Sequence, residues 1–494
     1  MPSLDRNRSR TLTASFILLA VAACAAAAEP HKLGAASFWR AATETDVAAA
    51  YALIEENHPG VLAEVGDSAF RRALEEGHAA AVARTPAVTN YEGYTATLGA
   101  FADALEDKHI WSRPTYLVAR PEWAGILLSK RGDRWIVVDE EQNPGIESTK
   151  GAELRSCDGR SPDDWAHQTL GTFRVNWSIG AQQVQAAPWL LVDEHNPFVP
   201  RPAVCEFQQA ARRLQITLDW RPIRRDLLMP RIAAAGGAGA AGFGVRAVGE
   251  GYWIALQNLL EPAAAVVAEV AAKAEILRNG RFIVLDLRGN GGGSSIFGEQ
   301  IARSLMGAAY VDPIIGASDD DCDSVWRTSD GNIRQMQYYV DKMGPTRGPE
   351  FTAMATKQLT RARAARAAGR ALSGSVKCVK QRPAAGSAPS ASTLKGRLVL
   401  ITDNLCFSSC LIVAKDFREL GALHVGQTTD ADTHYSEVRE ELMPSGLSKF
   451  STLQAVAPAE PLQDGPFVPS VLYGGDIADT AALERWIVTL STGP

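Results

Sequence analysis

Ser408 and Ser409 stand at a junction where a nucleophile would be useful. Before them runs the apolar stretch Leu398 to Ile401, short and bounded as a buried strand would be, then the polar corner Thr402-Asp403-Asn404. After them, Ile412, Val413, Phe417 and Leu420 fall on one face at helical spacing. A serine between strand and helix meets the free N–H groups and positive dipole end of the helix, both of which favour an oxyanion. Serines in that place also cap helices, so chemistry requires partners: a base, a group that orients it, and oxyanion donors. A second turn can supply donors. In Asp286-Leu-Arg-Gly-Asn-Gly-Gly-Gly293 the chain passes from strand to helix through glycines, which present backbone N–H groups with no Cβ in the way. No Lys-Ser/Thr follows, so it is not a P-loop.

The elements that must position these turns read as an α/β core over 245–490. Gly251 to Gln257 is strand-like, Pro262 to Arg278 helical, Arg281 to Arg288 a strand and Ser295 to Met306 a helix. After an insert at 315–395 the order strand, helix returns. That order implies a parallel or mixed sheet covered by helices, and two strand-to-helix turns at one edge of such a sheet face each other. Upstream, residues 38–115 read as a helical bundle, with helices beginning at the capping Asp46 and over Phe70 to Val82 and Tyr91 to Leu105. Residues 122–225 read as short strands with one helix from Pro162 to Leu170. Residues 232–243, Ala and Gly apart from Ile232 and Phe243, read as a linker. Within the insert, the acidic cluster Asp319 to Asp323, the Ala/Arg-rich Arg361 to Arg370 and the Pro/Ala/Ser-rich Pro383 to Ser392 read as mobile, solvated loop. The acidic cluster lacks the spacing and glycine of a calcium loop. A last helix is expected over Asp479 to Thr489, capped by its Asp.

The 494 residues, 46% hydrophobic and 21% charged, have ordinary globular composition and length for about three domains. The net charge of −6 and the lack of a basic patch point away from a nucleic-acid partner. Arg6, Arg8 and Arg10 precede the apolar Leu12 to Ala23, and small residues to Ala28 follow, so 1–28 reads as a signal peptide. The apolar stretch is too short to span a bilayer. Val21-Ala22-Ala23-Cys24 also resembles a lipoprotein box, in which Cys24 would carry a lipid. A periplasmic or secreted protein is expected, lipid-tethered if Cys24 is modified. Six cysteines remain, an even number that permits disulfides in an exported chain. Cys322 with Cys378 would tie the ends of the insert. Cys406 with Cys410 would bracket the serines, but helical spacing would put their sulfurs in poor geometry. No Cys/His spacing resembles a zinc site, and neither metal nor cofactor is expected.

Val284-Leu-Asp-Leu-Arg-Gly-Asn-Gly-Gly-Gly293 resembles the strand-and-turn motif of the C-terminal-processing/tricorn family of serine peptidases. Leu400 to Cys410, continuing to Leu423-His-Val-Gly-Gln-Thr428, is similar to that family's nucleophile segment. Leu105-Glu-Asp-Lys-His109 and Asn57-His-Pro-Gly60 resemble elements of its tricorn-like, retinoid-binding-protein-like branch. The resemblance implies an N-terminal bundle, a PDZ-like module at 122–225 and a crotonase-like core. By the same resemblance, Ser408 is the nucleophile, His109 the base, and the N–H groups of Ser409 and Gly292, or Gly293 instead, the oxyanion donors. A carboxylate is expected near the closing segment Pro466 to Ser470, at Asp464, with Glu460 as the alternative. Where the processing branch places a lysine, Thr428 to Tyr435 has none, which favours a Ser/His site. Two departures are Leu411 in place of a glutamate and Ser470 in place of an aspartate. His434 is a second base candidate, otherwise a surface histidine; His58 and His424 read as structural. The expected function is an exported serine endopeptidase acting on polypeptides. The alternative is an inactive relative that binds peptides or apolar ligands.

Overall fold

The apolar runs of the core assemble into one six-stranded sheet, because consecutive residues in them are buried on both faces. A computed structural model describes residues 34–116, 120–141, 148–237, 239–315, 324–377, 391–458 and 461–492. The expected leader with Cys24, the 319–323 cluster, the Cys322–Cys378 pair, Glu460 and 383–390 lie outside them. In spatial order the strands are Phe243–Val248, Gly251–Leu256, Phe282–Asp286, Arg397–Thr402, Leu423–Gly426 and Val471–Leu472. The first pair is antiparallel and the others parallel. Ile283, Leu285, Leu398 and Leu400 face the helices Glu261–Ala272, Ile296–Met306 and Ser409–Glu419. Phe282, Val284, Val399 and Ile401 face the last helix, Thr480–Thr492, through Leu483 and Ile487. That helix starts as expected, with Asp479 Oδ1 accepting from Ala482 N–H at 2.9 Å.

The N-terminal helices Ala36–Asn57, Ser68–Arg84 and Tyr91–Asp103 do not close on themselves. Trp39, Tyr94 and Phe101 share one core with Phe450 and Leu453 of the C-terminal strand Ser448–Val456. That strand pairs antiparallel with Tyr435–Leu442 and, along its other edge, with Ser112–Pro114 and Val325–Trp326. The N-terminal helices are thereby sewn to a late strand of the chain, and the segment after the bundle is delivered to the core.

Residues 126–217 form a five-stranded antiparallel sheet carrying the helices Pro162–Phe173 and Gly180–Ala186. Cys157 and Cys205, opposite each other in register, are joined by a disulfide. Two expectations need correction. Residues 232–235 finish the helix Arg225–Ala235, anchored by the buried Ile232, instead of opening a linker. Arg361 to Ala367 is not loop but the end of the helix Pro349–Ala367, because Ala355, Leu359 and Ala362 form a buried stripe of helical spacing. Among the described residues no helix is long and apolar enough to cross a membrane.

Candidate active site

Two turns meet at the carboxyl edge of the core sheet. The strand Arg397–Thr402 ends at Asp403, whose buried carboxylate accepts from Gly289 N–H at 2.9 Å, Gly239 N–H at 3.1 Å and Leu405 N–H at 3.1 Å. One side chain therefore fixes the start of both turns. Burial pushes the Asp403 carboxyl up to about 7, against the pull of these donors. In the other turn Asp286 is held by Arg288, a fully buried pair with Oδ2–Nη2 at 2.7 Å.

Ser408 is the residue just before the helix Ser409–Glu419, and its side chain makes no cap hydrogen bond. Its φ of 56° and ψ of −133° are a left-handed-side conformation that costs a non-glycine residue on the order of 1–3 kcal/mol. The chain thus turns sharply at the serine and lifts Oγ out of the sheet edge. Gly292 lies against it: a Cβ there would stand 2.8 Å from Ser408 Cβ and 2.9 Å from Phe407 O. Only glycine lets the turns approach this closely. Phe407 N–H donates to Asn290 O at 3.3 Å and Ser409 Oγ–H to Gly293 O at 2.7 Å, which locks the turns together.

His109 arrives from the far end of the sequence. Ser451 Oγ donates to His109 O at 2.9 Å and accepts from Trp111 N–H at 2.7 Å, so the strand Ser448–Val456 holds the histidine segment. The imidazole sits 4.7 Å from the Phe407 ring, with Nε2 3.1 Å from Ser408 Oγ. Its other nitrogen, Nδ1, is 3.2 Å from Asp107 Oδ1 and 3.2 Å from Asp432 Oδ1. Carboxylates only accept, so they keep a proton on Nδ1 and leave Nε2 of the neutral ring to accept from Ser408 Oγ–H. Burial opposes the imidazolium, but the two carboxylates outweigh it and raise His109 to about 10. Asp107 is itself fixed, accepting from His109 N–H at 2.8 Å and from the Thr433 hydroxyl. Despite its burial, the imidazole holds its carboxyl below the usual range. Asp432, by contrast, is raised by burial. The Nδ1 atom and the two carboxylates lie within 4.8 Å of one another, a grouping that by size could also hold a small cation.

The sequence-expected residues fall out as follows. Ser408 and His109 are brought together. Asp464 is not at the imidazole: it is the cross-strand Cα partner of Asp432, and Asp432 and Asp107 are the carboxylates there. Asp107 could have been found from its spacing, since a carboxylate two residues before a histidine readily folds back on that residue's N–H. The Gly292 N–H is not open to a substrate, because it donates to Asn290 Oδ1 at 2.8 Å. The N–H groups of Gly293 and Ser409 have no partner among the described residues. His434 is buried rather than on the surface, its ring against Tyr435. His58 is buried, stacked on Phe70 and accepting from Gly60 N–H, and His424 contacts Thr402 Oγ1 at 2.8 Å, both structural as expected. Leu411 is buried in the core.

Cys406 and Cys410 form a disulfide around the serines, contrary to the expectation from helical spacing. The helix begins only at Ser409, and the turn at Ser408 brings the two Cα atoms to 5.3 Å, an ordinary separation for a disulfide. Lys108, beside His109, pairs with the buried Asp430 at 2.6 Å; Gln182 and Gln185 of the β-rich module also donate to Asp430. The module is therefore bonded to the rim of the site.

Residues 253–458 match the family model for peptidase family S41. No curated protein matches the chain. Among solved structures, mature CPAF is similar in fold, with 12% identity, 92% of this chain and 99% of that chain covered, and a TM-score of 0.57. A second structure, mature CPAF complexed with lactacystin, has 12% identity, coverage of 92% and 100%, and a TM-score of 0.56.

Proposed function

We infer, from the match of residues 253–458 to the peptidase family S41 model and from the geometry of the site, that the chain is a serine endopeptidase of that family whose nucleophile is Ser408 and whose base is His109. The observation that carries the reading is the 3.1 Å approach of His109 Nε2 to Ser408 Oγ across 299 residues of sequence. That distance is within hydrogen-bond reach of a proton to be abstracted.

His109 Nε2 takes the Ser408 hydroxyl proton as Oγ bonds to the peptide carbonyl carbon. The carbonyl oxygen becomes an oxyanion facing the N–H groups of Ser409 and Gly293 at the helix N-terminus. Collapse breaks the C–N bond, and His109 gives its proton to the departing amine. Water then attacks the acyl-serine, losing a proton to His109, and release of the acid returns that proton to Ser408. Asp107 and Asp432 orient the ring and stabilise its charged form throughout. Asp464, expected in this role, is replaced in it by these two.

The histidine base, with no lysine in the segment Thr428 to Tyr435, supports the tricorn-like branch. We read the core as crotonase-like and the five-stranded module as PDZ-like, a place for an extended peptide end. Residues 1–28 would export the chain to the periplasm or beyond, with Cys24 as the lipid-anchor candidate.

The test is a fluorophosphonate probe on the folded full chain. Labelling is expected, abolished by Ser408→Ala and weakened by His109→Ala. Lactacystin, which the mature CPAF structure holds, is expected to compete with the probe. A folded chain that takes no label would move the reading to a peptide- or apolar-ligand-binding relative. The two carboxylates that favour the charged imidazole are the observation on that side.

A further inference from the structure

Ser408 is held in an unfavourable backbone conformation by one hydrogen bond of its own backbone, Leu411 N–H donating to Ser408 O at 2.8 Å, and by the bonds of its neighbours Phe407 and Ser409 to the glycine turn. Its side chain caps nothing and meets His109 Nε2 at 3.1 Å. Gly292 gives the turn room without pulling on it. What encloses the serine is a covalent ring: Cys406, Phe407, Ser408, Ser409 and Cys410, closed by the disulfide. Both cysteines are fully buried, packed in the same core cluster as Leu411, Val413 and Leu285. Cys406 is anchored at its backbone, with N–H donating to Asp403 O at 3.2 Å and O accepting from Asp430 N–H at 3.1 Å. Cys410 is anchored in the helix. The ring therefore spans from the Asp403 corner, which fixes the glycine turn, to the first turn of the helix that presents the Ser409 N–H.

We propose that the Cys406–Cys410 disulfide is a positioning element for the nucleophile, so that the site is assembled only in the oxidised chain. The inference rests on the serine-peptidase reading above. In the dithiol form the two buried sulfurs carry a hydrogen each and need no longer touch. The corner between them is then free to relax toward an ordinary helix N-terminus, with Ser408 as a cap and Oγ turned from His109. Closing the ring takes two electrons and two protons from the thiols, delivered to a disulfide oxidant such as oxidised glutathione. A reducing compartment would keep the chain silent, and an oxidising one would complete it.

The experiment compares fluorophosphonate labelling rates of the full chain and of two double variants, Cys406→Ala/Cys410→Ala and, as control, Cys157→Ala/Cys205→Ala. The first is expected to keep its circular-dichroism spectrum but label about 10- to 100-fold more slowly, the scale of loss from a misplaced reacting atom. With a peptide substrate the loss should lie in kcat more than in KM. The control should label at the native rate. Native-rate labelling by the first variant overturns the proposal. If that variant does not fold, the control variant refolded with dithiothreitol serves instead, its Cys406 and Cys410 thiols counted by mass after alkylation. Slow labelling that oxidised glutathione restores supports the proposal. Native-rate labelling of a verified dithiol form, or slow labelling that reoxidation leaves unchanged, overturns it. Failure of the native oxidised chain to label at Ser408 would instead count against the peptidase reading itself.

Discussion

Asp107 and Asp432 meet at a single atom, each placing a carboxylate oxygen 3.2 Å from His109 Nδ1. One N–H faces two anions, so the charged imidazolium is favoured and the ring's value rises from 6.5 to about 10. A general base must be neutral to act, so labelling of Ser408 should climb as pH rises toward about 10. Asp432→Asn removes one anion and should move that limb to lower pH. Labelling rates against pH decide it, and an unmoved limb would refute the assignment. The stability consequence has the opposite sense. A base whose folded value is raised stabilises fully below its unfolded value, near 6.5, and that contribution is lost as pH rises through about 10.

Gly292→Ala should cripple the site without replacing any reacting group. At a φ of 97°, the new Cβ would stand 2.8 Å from Ser408 Cβ, and the serine turn must give way. A fall of about 100-fold in labelling is expected from displacement of this kind, with the far-ultraviolet spectrum retained. Native-rate labelling would mean the two turns are not in contact.

Asp430 is the charge through which the β-rich module, Lys108 and the core are joined. Its side chain is 0% exposed and that of Lys108 33%. Asp430→Ala leaves the ammonium and the Gln182 and Gln185 amides without their acceptor. The expected loss is about 3 kcal/mol by urea unfolding, the low end for breaking a buried pair because Lys108 keeps some water. A double-mutant cycle with Gln182→Ala should show coupling; strict additivity would argue that the module is not bonded to the rim.

The Cys157–Cys205 bridge closes a loop of 48 residues within one sheet. Constraint of the unfolded chain predicts about 4 kcal/mol of stabilisation at 25 °C for a loop of that length. Removing it should lower the unfolding midpoint. An unchanged midpoint would show that the sheet's own ladder suffices.

The core sheet could be foreseen because its strands are apolar on both faces, leaving little choice of partner. Ser408 stood out from its strand-to-helix junction and His109 only from the resemblance of Leu105 to His109 to a family element; their side chains lie 3.1 Å apart. Asp432 did not stand out, since its place is set by antiparallel pairing with residues 463–464. The expected Asp464 fell on the cross-strand partner, an error of strand and not of region. The Cys406–Cys410 bond was disfavoured because helical spacing was carried back through a serine that lies outside the helix. The Pro349–Ala367 helix was missed because its buried face is largely alanine, a residue that composition alone cannot assign to core or solvent.

The histidine segment is held by Ser451 and the strand around it, which lie near the far end of the polypeptide. A chain emerging from the ribosome carries its histidine early and its serine late. Neither can meet the other until the stretch beyond both has been made and has folded back. On the serine-peptidase reading, order of manufacture then keeps an unfinished copy silent, since its Ser408–His109 pair is not yet assembled.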